Sequence, residues 1–110
     1  MKMTMIFNNE SDIIVNEPLT LRELVLKHKA NLAGAVLVGV NLSGLDLSGA
    51  NFEGANLTEA NFKNANLSGA NLKNADLKYS NLTDAVFTGA NLEGADLYRI
   101  EADFFKLLTK

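Results

Sequence analysis

From residue 30 to residue 99 the apolar and polar positions of the chain recur every five residues without a slip. With Ala30-Asn31-Leu32-Ala33-Gly34 as the first unit, the segment holds fourteen units. The third position is always large and apolar: eleven Leu, with Phe52, Phe62 and Phe87. The first position is Ala in eleven units and Val40, Leu45 or Ser80 in the others. The second is mostly Asn or Asp, and all eight glycines of the protein stand fifth. So strict a period sets the architecture before any other feature is weighed.

Neither simple secondary structure accepts it. Five residues advance an α-helix by about 500°, so successive Leu side chains would point about 140° apart and no apolar face would form. Eight glycines inside a helix would also cost on the order of 10 kcal/mol in propensity. In a straight strand an odd repeat sends successive Leu residues to opposite faces. A chain that bends once per unit resolves the conflict. Each third-position side chain then points to a common axis, and so does the first-position residue two before it. Gly, Asn or Asp in the fifth position supplies the turn, because these residues tolerate left-handed backbone angles.

The units Ala50-Asn51-Phe52-Glu53-Gly54, Ala55-Asn56-Leu57-Thr58-Glu59 and Ala90-Asn91-Leu92-Glu93-Gly94 fit Ala-(Asp/Asn)-Leu-x-x. The segment therefore resembles the pentapeptide-repeat family over 70 of 110 residues. The resemblance implies an all-β fold, a right-handed quadrilateral β-helix (solenoid) with four units per coil. Fourteen units make about three and a half coils, a stub roughly 17 Å long at strand spacing. The residues themselves leave the number of sides open. A twenty-residue coil stacks Glu53, Lys73 and Glu93 as alternating charges and aligns Asn31, Asn51, Asn71 and Asn91 as a ladder that could hydrogen-bond along the axis. It also sets Asp76 under Asp96, which is unfavourable. A three-sided coil would instead stack Lys63 on Lys78.

The flanks differ in composition. Residues 1–29 predict an N-terminal cap, 30–99 the solenoid, and 100–110 a short helical C-terminal cap or a dimerisation tail. Two apolar runs, Met5-Ile6-Phe7 and Ile13-Ile14-Val15, bracket a turn-like polar stretch and predict a hairpin. Thr20 and Glu23 form a capping-box pattern for a helix over 21–29, with Leu21, Leu24, Val25 and His28 on one face. An open coil leaves edges and core uncovered, so terminal caps are expected. Val36 and Val38 occupy outward positions that elsewhere hold polar residues, which predicts that the N-terminal segment packs over that side. The tail Phe104-Phe105-Lys106-Leu107-Leu108 is apolar. It either folds over the last coil or joins two copies end to end, as family members often do.

Composition narrows the field. The length suits one domain. With no cysteine there is no disulfide or thiolate site. No run is long enough for a secretory signal or a membrane span, so a cytoplasmic protein is expected. A net charge of −3 favours solubility over a charged partner.

Catalytic, metal and cofactor sites are not expected. His28 is the one histidine and has no ligand-spaced carboxylate or thiol. The fourth-position serines and threonines lack a paired base, the glycines are too widely spaced for a phosphate loop, and no Ca²⁺-binding glycine-rich repeat occurs. Asp46, Asp76 and Asp96 read as wall or turn residues. One surface departs from the pattern. In a four-sided coil, Glu59, Tyr79 and Arg99 share a corner column beside Tyr98. Tyr and Arg are enriched at binding hot spots, so these four residues form a candidate protein-contact patch. The competing reading has Tyr98 and Arg99 packing against the C-terminal cap.

Three functional classes follow. A non-enzymatic structural or protein-interaction module, with no membrane or direct nucleic-acid partner, needs nothing beyond these residues. It would be a monomer or an end-to-end homodimer. The resemblance also implies an alternative, a DNA-mimic modulator of a type II topoisomerase such as DNA gyrase. Duplex DNA of 17 Å would carry roughly ten charges, whereas residues 30–99 hold seven acids and four bases spread over all sides. An enzyme is the third class, and no set of residues converges to support it.

Overall fold

The structure is a computed structural model and describes residues 3–5, 13–15 and 20–102. From Val36 onward the chain winds into a coil that closes every twenty residues. Parallel bridges join Val36 to Asn56, Asn56 to Asp76 and Asp76 to Asp96. The other walls keep the same offset, through Asn41–Asn61–Asn81, Asp46–Asn66–Val86 and Asn51–Asn71–Asn91. Four five-residue units therefore make one turn, and the three-sided alternative is excluded. Each wall contact is a single bridge pair and not a continuous strand. With a turn in every unit, too few residues stay extended to make more.

The unit Ala55–Glu59 shows how five amides are satisfied. Ala55 N–H closes the preceding turn on Phe52 O at 2.9 Å. Asn56 donates down to Ala35 O at 2.9 Å, while Leu57 and Glu59 donate up to Asp76 O and Lys78 O, each at 2.8 Å. The fourth-position amide of Thr58 has no stacked carbonyl and donates instead to Asn56 Oδ1 at 3.2 Å. Buried backbone groups need such partners, because desolvating them alone is expensive. The second position is thus Asn or Asp because an Asx turn completes the set. The expected ladder along the axis is not what these side chains build. Among the described residues the Asn71 amide instead reaches along the axis to Glu53 Oε1 at 3.0 Å.

First and third positions form one continuous core, fully buried through the middle coils. Phe52 and Phe62, from opposite walls, meet edge to face across it with centroids 6.1 Å apart. Every fifth-position residue has positive φ, six of them not glycine. A turn with a left-handed third residue demands it.

At the N-terminal side, β1 (Met3–Met5) pairs antiparallel with β2 (Ile13–Val15), Thr4 opposite Ile14. The two strands fall in the region where a hairpin is expected, but the first shares only Met5 with the Met5-Ile6-Phe7 run. Of that run, Ile6 and Phe7 lie outside the described residues. Helix α1 (Leu21–Lys27) starts with the full capping box between Thr20 and Glu23. It ends two residues earlier than the sequence predicts: His28 caps it, and a 3₁₀ turn over Lys29–Asn31 leads into the coil. Such tightening serves the last carbonyls of a helix. Leu24 and Val25 are fully buried in the solenoid core, and Arg22 donates to Asn41 O at 3.1 Å and Ser43 O at 2.8 Å. Val36 and Val38 are 57% and 52% exposed, so helix α1 does not cover them; much of the N-terminal segment expected over that side lies outside the described residues. Residues 103–110, the expected helical cap or tail, lie outside the described residues.

Candidate functional site

Coil length decides which outward side chains become neighbours. Residues 36–38, 56–58, 76–78 and 96–98 stack into one wall. Its edge is the corner column Gly39, Glu59, Tyr79 and Arg99, bound coil to coil by Glu59 N–H to Lys78 O at 2.8 Å and Tyr79 N–H to Tyr98 O at 2.9 Å. The four patch residues expected from the sequence thus share one surface.

Their side chains are organised unequally. The Tyr79 and Tyr98 rings meet edge to face, 5.8 Å between centroids and 82° between planes. The Arg99 guanidinium lies 5.7 Å from the Tyr98 centroid, and its Nε–H donates to the Tyr98 hydroxyl at 3.3 Å. Aromatic pairing and cation–π contact restrict three long side chains that would otherwise move independently. Glu59 stands one coil below Tyr79, and its carboxylate makes no hydrogen bond or ion pair among the described residues.

Beside them the expected clash of Asp76 under Asp96 is absent. Lys78 Nζ sits between the two carboxylates, 2.8 Å from Asp76 Oδ2 and 3.5 Å from Asp96 Oδ2. The hydrogen bond from Lys78 holds the Asp76 carboxyl below the usual carboxylate range, and the same bond raises the Lys78 ammonium. By contrast the Glu53–Lys73–Glu93 column forms no ion pair among the described residues. On another wall, the Ser48 hydroxyl and amide lower the Asp46 carboxyl, a turn interaction and not a metal site.

Val36 and Val38 belong to this same wall, which residue-level reading missed. Among the described residues five large apolar side chains are exposed, and Val36, Val38, Tyr79 and Tyr98 all lie on this wall and its corner. Only Val86 stands elsewhere. Adding the coil length to the sequence would have revealed the grouping. No three His, Cys, Asp or Glu side chains converge as a metal site among the described residues. No described helix is long and apolar enough to cross a membrane.

The family model for pentapeptide repeats matches residues 28–64 and 65–100. This chain belongs to the pentapeptide-repeat family. Solved structures of the family carry the right-handed quadrilateral β-helix, and the twenty-residue bridge offset is that coil. A pentapeptide-repeat protein from the thylakoid lumen of Arabidopsis thaliana is 36% identical, over 58% of this chain and 44% of that one, with a TM-score of 0.58. Rfr23 of the cyanobacterium Cyanothece is 51% identical over 64% of this chain and 45% of its own, with a TM-score of 0.46. A family member from Nostoc is 30% identical over 79% and 86% of the two chains, with a TM-score of 0.39. This chain thus spans less than half the length of the first two. No curated protein matches it.

Proposed function

We propose that this protein is a non-enzymatic interaction module that contacts a protein partner through the wall of Val36, Val38, Tyr79 and Tyr98. One observation carries the reading: four of the five exposed large apolar residues among those described sit on one wall and its corner. Tyr79 and Tyr98 touch, and Val36 and Val38 stand two to three coils away along the same wall; exposed apolar side chains gathered on one side mark contact surfaces. Tyr and Arg at the corner add the side chains that most often dominate binding energy. Helix α1, with Leu24 and Val25 buried in the core, serves in this reading to close its N-terminal end.

The layout of charge gives duplex mimicry no support. The wall richest in contact residues holds a lysine bridging two aspartates, where a DNA mimic needs carboxylates free and dense. A gyrase supercoiling assay with added protein is expected to show neither inhibition nor drug protection.

The test is affinity capture from the native extract with three forms of the chain. Wild type should retain a partner that the Tyr79→Ala/Arg99→Ala pair loses at least about tenfold. A control pair on another wall, Lys63→Ala/Thr83→Ala, should retain it. A partner held equally by all three forms would overturn the reading.

A further inference from the structure

The corner column has a property that its separate residues do not. Glu59, Tyr79 and Arg99 succeed one another at coil spacing, so acid and base stand about 10 Å apart with Tyr79 midway. A two-fold axis through Tyr79, perpendicular to the solenoid, exchanges the two ends. It places Glu59 of one copy opposite Arg99 of the other, and Arg99 opposite Glu59. This self-complementarity is what an isologous pair requires.

A second observation supports it. Glu59, Tyr79 and Arg99 have φ of 62°, 62° and 53°. The other corners hold only Gly, Asn or Asp at this position, from Gly34 through Asn74 to Gly94. Large side chains here carry backbone strain that glycine would remove, and such strain is kept where a side chain has work outside the fold. The Glu59 carboxylate and the terminal nitrogens of Arg99 make no hydrogen bond or ion pair among the described residues, while the Arg99 stem is already steadied on Tyr98.

We propose that the occupant of this corner is a second copy of the chain, lying antiparallel, with two Glu59–Arg99 pairs flanking a Tyr79–Tyr79 contact on the axis. This pairing rests on the interaction-surface reading above and names its partner. A corner contact over three coils falls well below the roughly 1,200 Å² of a standard stable interface. Association is therefore weak, concentration-dependent and reduced by salt. It differs from end-to-end pairing, in which the corner takes no part.

Charge reversal tests it on the full chain by sedimentation velocity at low salt. Glu59→Arg and Arg99→Glu alone each place like charges opposite twice and should weaken self-association by about tenfold or more. Mixed together, the two variants recreate both pairs: one copy is then basic at both ends of the column and the other acidic at both. The mixture should associate as wild type does, which also shows that both variants are folded. Because the chain has no native cysteine, a Tyr79→Cys variant should form a disulfide-linked dimer on mild oxidation, and Lys63→Cys should not. A wild type that stays monomeric, or reversals that leave association unchanged, would overturn the pairing. If partner capture still depended on Tyr79 and Arg99 in that case, the interaction surface would stand without the dimer.

Discussion

The Asn66 side-chain oxygen accepts two hydrogen bonds from Ser68, two residues on: the amide at 3.0 Å and the hydroxyl at 2.6 Å. Eleven units bind the fourth-position amide in this way. The relationship explains why Asn is so common on a wall where solubility alone would accept any polar residue. Asn66→Ala leaves a partly buried amide without its acceptor and should cost about 1 kcal/mol. Val86 occupies the same position one coil on and cannot accept, so Val86→Asn should stabilise by a similar amount. Urea unfolding of the two variants beside wild type checks both signs.

Ser80 is the one core residue with a polar side chain among those described, and its Oγ is buried with no hydrogen-bond partner there. It fills a first-position site where Ala is the rule. Ser80→Ala removes an unsatisfied group and only one heavy atom of packing, so stability should rise by about 1 kcal/mol. At this chain length the melting temperature should increase by about 4 °C. An unchanged or lower melting temperature would refute the assignment.

Two glycines separate backbone strain from collision. Both Gly49 and Gly94 have left-handed φ, of 71° and 72°. A Cβ on Gly49 would meet nothing within 4 Å, whereas one on Gly94 would strike the Asn74 side-chain oxygen. Gly49→Ala should cost about 1 kcal/mol through backbone conformation alone, and Gly94→Ala should cost a similar amount while turning the Asn74 side chain aside, which the Asn74 side-chain NMR signals would report. The converse applies at the strained corner. Glu59→Gly should raise stability by about 0.5–1 kcal/mol while weakening self-association, a trade of function for stability read by thermal melts and sedimentation.

The Lys78 hydrogen bond depresses the Asp76 carboxyl. A depressed folded value means that the stabilisation is present above the unfolded carboxylate value of about 3.9 and is lost as pH falls through the folded one. Carboxyl-carbon NMR should show Asp76 titrating below the ordinary range in wild type and moving up toward it in Lys78→Met. Identical titration in both would show that Lys78 does not hold the carboxylate.

Much of the fold was legible because one local rule repeats. Inward positions 1 and 3, the fifth-position turn and the Thr20–Glu23 capping box all follow from contacts within a few residues. The contact wall was not legible in the same way. Val36 and Val38 looked like a covered surface, and Asp76 under Asp96 like a repulsive stack. Both judgements concern contacts beyond a single unit, which the five-residue period does not relate.

The sequence by itself determined that the chain must coil, which side chains face the axis, and that Gly, Asn or Asp turns each corner. Those are consequences of steric preference and of burying Leu and Phe, which act on each unit alone. Only the tertiary structure decided that four units close a coil. That closure brings Lys78 between two aspartates, sets Tyr79 against Tyr98 and gathers the exposed valines onto the tyrosine wall. The reason is physical: outward side chains gain their neighbours from the stacking of coils, and stacking is fixed by hydrogen bonds between distant amides and carbonyls.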